Sequence, residues 1–394
     1  MCIQGESRNR QTFAKPYGEV RSVSYLTCST GDSGRNAMAN FNLEGNVQTV
    51  LGAINPAQLG ITLTHEHLLI DMSPLFAPPE QAGAKGFYYE PVSLQNVGRI
   101  QHWAQRNADN VQLTDVATAI DEVNIYQQYG GGSLVDATSI GIKRDAEGLA
   151  RISRATGVRI VMGASYYVDD SHPANMDDMT EDDAMSRIVL DVTEGVDGTP
   201  HKSGVIGEVG CSWPLMPNER KALRASARAQ RITGAPILIH PGRDETAPLE
   251  IIEVLREAGA DLERTIVGHI DRTVFLHETL LQIAESGCYL EWDLFGTEQS
   301  YYGANSAIDM PNDAKRMDDI AWLASQGYGH KILVSHDICT KNRLERYGGH
   351  GYAYILGHIV PRMGMRGFSQ ALIDDILVNN PATALTFAAP QEAS

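Results

Sequence analysis

The sequence predicts a (β/α)₈ TIM barrel, on three observations. From Gly45 onward, short β-rich runs alternate with longer segments of helical period, as repeated βα units on a parallel sheet require. Eight such runs can be counted, at residues 60–64, 132–138, 158–164, 205–210, 235–240, 265–269, 288–293 and 331–337, and eight closes a barrel. Metal-capable side chains arrive at the carboxyl ends of these runs, where such a barrel builds its chemistry.

The first run, Gly60-Ile61-Thr62-Leu63-Thr64, is apolar and β-branched, and it delivers His65 and His67. Alternate side chains of a strand point the same way, so the two imidazoles project together, as sharing a metal ion requires. A lone pair at this spacing also fits a polar strand end, so the later runs must decide. The gap before the second run has room for an extra helix pair, 93–106 and 115–129. Residues 218–234 and 248–259 read as barrel helices. In the second of these, Leu249, Ile251, Ile252, Val254 and Leu255 recur at helical spacing and Gly259 supplies the stop.

The fourth run ends in Glu208, the fifth in His240, the sixth in His269 and the eighth in Asp337. Glu208 sits in Val205-Ile206-Gly207-Glu208-Val209-Gly210, too apolar a strand for a charge unless something pairs with it. His336 precedes Asp337 directly and therefore faces the other way, to pack outside or to support a ligand from behind. His102, His172, His201, His277, His330, His350 and His358 follow no convergent pattern and read as surface or packing residues. Four imidazoles and two carboxylates suit zinc or a similar divalent ion, and six ligands exceed the three protein ligands of a single catalytic site. Two ions sharing one bridging carboxylate is the economical reading.

Composition narrows the rest. A chain of 394 residues, 43% hydrophobic, can bury the core of one large barrel. A net charge of −17 excludes a nucleic-acid binder, which needs a basic face, and leaves an anionic substrate to a few local cations. No stretch approaches the ~20 apolar residues of a membrane-spanning helix. Five scattered cysteines without CxxC spacing argue against a disulfide framework and fit a reducing, cytoplasmic setting. Residues 1–44, rich in Arg, Ser, Asn and Gly without a sustained apolar period, read as a disordered leader, and the single barrel domain is expected to span 45–390. The leader shows neither the amphipathic helix of a transit peptide nor a secretory apolar core, and Met38 makes an upstream extension the plainer reading.

Thr64-His65-Glu66-His67, Ile206-Gly207-Glu208-Val209-Gly210, Ile239-His240-Pro241-Gly242-Arg243, Gly268-His269 and Ser335-His336-Asp337 resemble the metal motifs of the phosphotriesterase family, in the amidohydrolase superfamily. Gly45-Asn46-Val47-Gln48-Thr49-Val50-Leu51-Gly52, Gly210-Cys211-Ser212-Trp213-Pro214-Leu215, residues 287–296 and Tyr347-Gly348-Gly349-His350-Gly351-Tyr352 are similar to its animal branch. The bacterial organophosphate hydrolases and lactonases of the family carry a carboxylated lysine as bridge; the matching residue here is Glu208, which needs no carbon dioxide to become an anion. Lactonases of the family place an arginine after the seventh-strand aspartate, whereas Leu294 follows Asp293 here. The resemblance implies an amidase acting on N-acetyltaurine and, less efficiently, on other small N-acyl amino acids.

A mechanism follows from the ligand set. Two divalent ions, one held by His65, His67 and Asp337, the other by His240 and His269, and bridged by Glu208, would bring the pKa of a shared water to about 7 and supply hydroxide for attack on the acyl carbon. Asp337 is placed to pass the proton of that water to the leaving amine. Candidate cations for a substrate anion are Arg243, favoured for its planar fork behind a Pro-Gly turn, with Arg272, Lys341 and Arg343. For Arg243 a rim salt bridge is an equal alternative. Tyr166 and Tyr167 could wall the acyl pocket, and 297–316 reads as a lid or an oligomer contact, which leaves a homodimer open. Two alternatives stand beside the amidase: an esterase, lactonase or phosphotriesterase on the same metals, and a metal-binding barrel without catalysis.

Overall fold

The computed structural model describes residues 41–391 apart from 77, 299–301 and 306. Eight strands form one parallel sheet in chain order: β1 (Ile61–Glu66), β2 (Gly131–Asp136), β3 (Arg159–Ala164), β4 (Val205–Gly210), β5 (Ile237–His240), β6 (Thr265–Val267), β7 (Tyr289–Trp292) and β8 (Ile332–Val334). Each lies within a few residues of its predicted run. The ring is drawn together between its first and last strands, where the backbone N–H of His65 donates to Ser335 Oγ (3.1 Å) and that of Asp337 donates to the His65 carbonyl (3.1 Å).

Alternation along the strands sorts the core into layers. Val135, Val161, Val205, Leu238, Ile266, Tyr289 and Leu333 meet in one buried cluster; contributed one each by β2 to β8, they fill the lumen. Val47 joins them from the hairpin of Val47–Thr49 and Gly52–Ile54. Neighbours of opposite facing, such as Ile206 and Ile237, pack outward against Ala222 and Leu223 of the helix layer.

That layer includes α1 (Val116–Gln128), α2 (Ala146–Thr156), α3 (Glu181–Thr193), α4 (Pro217–Thr233), α5 (Ala247–Glu257), α6 (His277–Glu285) and α7 (Asp313–Leu323). Local chemistry sets their ends. Asp115 caps α1 by accepting from the N–H groups of Ala117 and Thr118. Helix α4 opens on Pro217 and stops at Gly234, whose φ of 74° suits a residue without a Cβ.

The connection from β1 to β2 is richer than predicted. The expected pair is present as Val97–His102 with Ala104–Arg106, followed by α1, but a further helix, Ala82–Tyr89, precedes them, and Ile70–Asp71 pairs with Gln112–Leu113, which lies between Arg106 and α1. Gly83 and Gly86 disguise that helix in the sequence. The predicted leader lies outside the described residues except for 41–44, where Phe41 and Leu43 pack onto the barrel and the Phe41 ring meets Phe387 edge-on at 6.5 Å. Among the described residues no helix is long and apolar enough to cross a membrane.

Candidate metal centre

All six predicted ligands converge at the carboxyl end of the barrel. Glu208, buried in β4, is the hub. Its Oε2 lies 2.8 Å from His240 Nδ1, 3.3 Å from His65 Nε2 and 3.6 Å from His269 Nε2, while Oε1 lies 3.3 Å from His67 Nε2. Asp337 Oδ1 completes the cluster at 3.2 Å from His67 Nε2. Two triads result, His65, His67 and Glu208 on one side and Glu208, His240 and His269 on the other, each with ligand atoms within 4.8 Å of one another. Sharing Glu208, they have the composition of a binuclear divalent centre.

Two ligands sit in strained backbone, His269 at φ 53° and Asp337 at φ 51°. Such conformations cost of order 1–3 kcal/mol for a residue with a Cβ and persist only where the surroundings hold them. At His269 the backbone N–H donates to Asp293 Oδ2 (2.8 Å). At Asp337 the carbonyl accepts from Arg343 Nη1 (2.6 Å).

The electrostatics fit a cation. Burial alone would raise the pKa of Glu208, but the imidazoles of His240 and His65, with hydrogen bonds from His240 and His269, hold it well below the usual carboxylate range. Burial favours neutral His67, yet Asp337 and Glu208 pull its pKa up to about 9, so these side chains draw positive charge into the cluster. His240 goes the other way, to about 3, through burial and through its neighbours His269 and Arg272; Glu208 opposes that shift only in part. It stays neutral, as a ligand must. His65 Nε2 is buried without a hydrogen-bond partner although it faces Glu208, an orphan that a coordinated ion would satisfy.

Residues behind the ligands fix their rings. Asp293, at the end of β7, reaches His65 Nδ1 with Oδ2 (2.9 Å) and accepts from His269 Nδ1 with Oδ1 (2.8 Å). His67 Nδ1 meets Thr138 Oγ1 at 2.9 Å. Glu66 faces away from the centre, accepting from His336 Nδ1 (2.7 Å) and from the backbone N–H groups of His336 and Ile338, and so pins the loop that carries Asp337. His336 thus supports the site from behind. Sequence reasoning passed over Asp293 and Glu66; a carboxylate inside the apolar Tyr289-Leu290-Glu291-Trp292-Asp293 was the available signal.

A cavity of about 470 Å³ opens over the ligands. Arg243, Arg272, Tyr167, Arg343 and Leu294 line it, as do Tyr302, Gly303, Ala304 and Met310 from the predicted 297–316 segment. Arg272 is fully buried, with Nη2 at 3.2 Å from both His240 Nε2 and the Pro241 carbonyl, and Arg243 Nε donates to Tyr302 Oη (3.0 Å). The Tyr167 hydroxyl is 3.5 Å from His240 Nδ1. Two candidates fall elsewhere. Lys341 does not line the cavity, because its ammonium is bound 2.6 Å from Asp109 Oδ1. Tyr166 is buried away from it, edge-on to His172.

Residues 45–385 match the model of the phosphotriesterase family. A phosphotriesterase-related protein of Nematostella vectensis is 47% identical over 346 residues, 87% of this chain and 99% of that one. An N-acetyltaurine hydrolase of Homo sapiens is 45% identical over 347 residues, 88% of this chain and 99% of that one. Among solved structures, a resiniferatoxin-binding protein from Rhodobacter sphaeroides superposes with a TM-score of 0.84 at 35% identity, covering 88% of this chain and 97% of that one. A Listeria monocytogenes lactonase gives 0.71 at 29%, covering 87% and 99%. Fold, ligand geometry and these likenesses agree, and the chain belongs to the phosphotriesterase family.

Proposed function

We propose that this hydrolase cleaves a small N-acyl amino sulfonate, N-acetyltaurine, to acetate and taurine. Four arginines line the cavity, and the observation that carries the reading is the state of two of them, Arg243 and Arg272. Arg272 is fully buried and Arg243 partly so, and among the described residues neither has a carboxylate within ion-pair distance. A cation removed from water without a counter-ion is costly, which favours an anionic ligand at this wall. Leu294 makes the wall apolar beside Asp293, and relatives named N-acetyltaurine hydrolase align over nearly their whole length.

When bound, a pair of divalent ions, zinc being the expected one, supplies hydroxide at neutral pH and polarises the acyl carbonyl. The protein's own groups do the rest. Glu208 remains anionic between the triads. Asp337, its pKa lowered by His67, His269 and His65 against the effect of burial, is an available base whose side chain is 15% exposed toward the cavity. It accepts the proton of the attacking water and returns it to the amide nitrogen as the C–N bond breaks. Tyr167, its pKa pushed well up by burial, keeps its proton and walls the acyl group. A cytoplasmic setting belongs to the same proposal, supported by the free thiols of Cys211, Cys288 and Cys339.

Acetate release from N-acetyltaurine, measured beside a lactone and an aryl phosphotriester with and without a chelator, tests the reading. Turnover of N-acetyltaurine that stops on metal removal is expected. Preference for the lactone or the phosphotriester overturns the substrate, and full activity after metal removal overturns the mechanism.

A further inference from the structure

The connection between β7 and α7 folds back onto Arg243. Tyr302 Oη accepts from Arg243 Nε (3.0 Å), and Asn305 Nδ2 donates to the Arg243 carbonyl (3.3 Å). The turn that grips the arginine by side chain and backbone is itself held in shape. The N–H of Tyr302 donates to the Ile308 carbonyl (2.9 Å), and that of Asn305 donates to the Tyr302 carbonyl (2.9 Å). At the root of the connection, the fully buried Arg316 of α7 donates through Nη2 to the Thr297 carbonyl (2.8 Å) and through Nε to Asp271 Oδ2 (2.7 Å). The N–H of Asp313 donates to Glu298 Oε1 (2.9 Å), which fastens the two ends of the connection to each other.

An arginine side chain that a ligand must order loses rotamer freedom on binding, at a cost of about two- to tenfold in affinity. A hydrogen bond already made in the free protein removes that cost. Tyrosine suits the task, because its ring turns about two torsions only. The bond to Tyr302 occupies Nε alone, so among the described residues Nη1 and Nη2 of Arg243 keep no partner and remain for a ligand in the cavity that both residues line. We propose that Tyr302 is a positioning residue and a determinant of specificity: by fixing Arg243 before substrate arrives, it sets the preference for an amide whose leaving amine carries a sulfonate. This role rests on the proposed function and is exerted through Arg243, not through the metal ligands.

Tyr302→Phe removes the hydroxyl and keeps the ring, whose centroid lies 5.7 Å from Arg243 Cζ. In metal-loaded enzyme its KM for N-acetyltaurine should rise about two- to tenfold with kcat little changed. Calorimetric affinity for ethanesulfonate, the anion without the amide, should fall by the same factor. Against N-ethylacetamide, which has no sulfonate, the loss in kcat/KM should be clearly smaller. In an Arg243→Met background the same substitution should add nothing, because residues that act as one unit are not additive. Equal losses on the two substrates, or additive losses in the double variant, overturn the role. So does an affinity for ethanesulfonate that is absent in the wild type or unmoved by Tyr302→Phe, whatever the substrate. Wild-type enzyme that binds ethanesulfonate through Tyr302 yet releases no acetate from N-acetyltaurine sinks the substrate reading instead and leaves Tyr302 in its role.

Discussion

Asp293 Oδ2 lies 2.9 Å from His65 Nδ1, and the other oxygen of the same carboxylate accepts from His269 Nδ1. One side chain thus aligns an imidazole from each half of the centre. Asp293→Asn keeps the shape and removes the charge, so affinity for both ions should fall about 10–100-fold. Chelator competition followed by metal analysis measures it, and excess metal should restore much of the activity.

Glu208 is a plain carboxylate, so its charge exists as soon as the chain folds. Activity recovered by adding metal to chelated protein should therefore be indifferent to bicarbonate. Glu208→Gln, which leaves four imidazoles facing an uncharged amide, should lower kcat more than about a hundredfold. A bicarbonate-dependent recovery would show that the bridge is not Glu208.

The buried guanidinium of Arg272 predicts a charge-selective defect. Arg272→Met should reduce kcat/KM for N-acetyltaurine roughly 10–150-fold, the range for losing a hydrogen bond to a charged group. N-Ethylacetamide, which lacks the sulfonate, should be cleaved by both proteins with similar, low efficiency. Equal losses on the two substrates would assign Arg272 to holding His240 in place.

His350 makes stability depend on pH. Burial first, then His336 and Arg343, lowers its pKa well below 6.5, so below pH 6.5 the unfolded chain takes up a proton that the folded chain refuses. Its contribution is present above 6.5 and lost as pH falls, at up to about 1.4 kcal/mol per pH unit. His67, raised to about 9, titrates in the opposite sense. Comparing His350→Phe with wild type, both without metal, isolates the first effect: the variant's urea midpoint should change less between pH 7 and pH 5.

The barrel was legible because its strands are short β-branched runs and its helices carry their own stops, as Gly234 does for α4. The ligands were legible because a histidine or carboxylate closing an apolar run has few other uses. What the sequence concealed depends on partners far along the chain. Lys341 looks like a free cation until Asp109, more than 200 residues earlier, is found beside it. Glu66 looks like the spacer of a His-x-His pair until the fold brings His336 to its side. The helix Ala82–Tyr89 forms although two of its eight residues are glycines, because Phe87 and Tyr88 are buried by their surroundings.

The meeting of β1 with the residues after β8 has a thermodynamic consequence. Ser335 and Asp337 are fastened to the His65 backbone, so His67 and Asp337 approach each other only while the ring is shut. Anything that grips both side chains binds the shut ring alone and, by mass action, deepens its stability by RT ln(1 + [L]/Kd). Loading the site and locking the two ends of the barrel together are then a single equilibrium. Exchange of backbone amides along this seam would report metal occupancy as directly as turnover does.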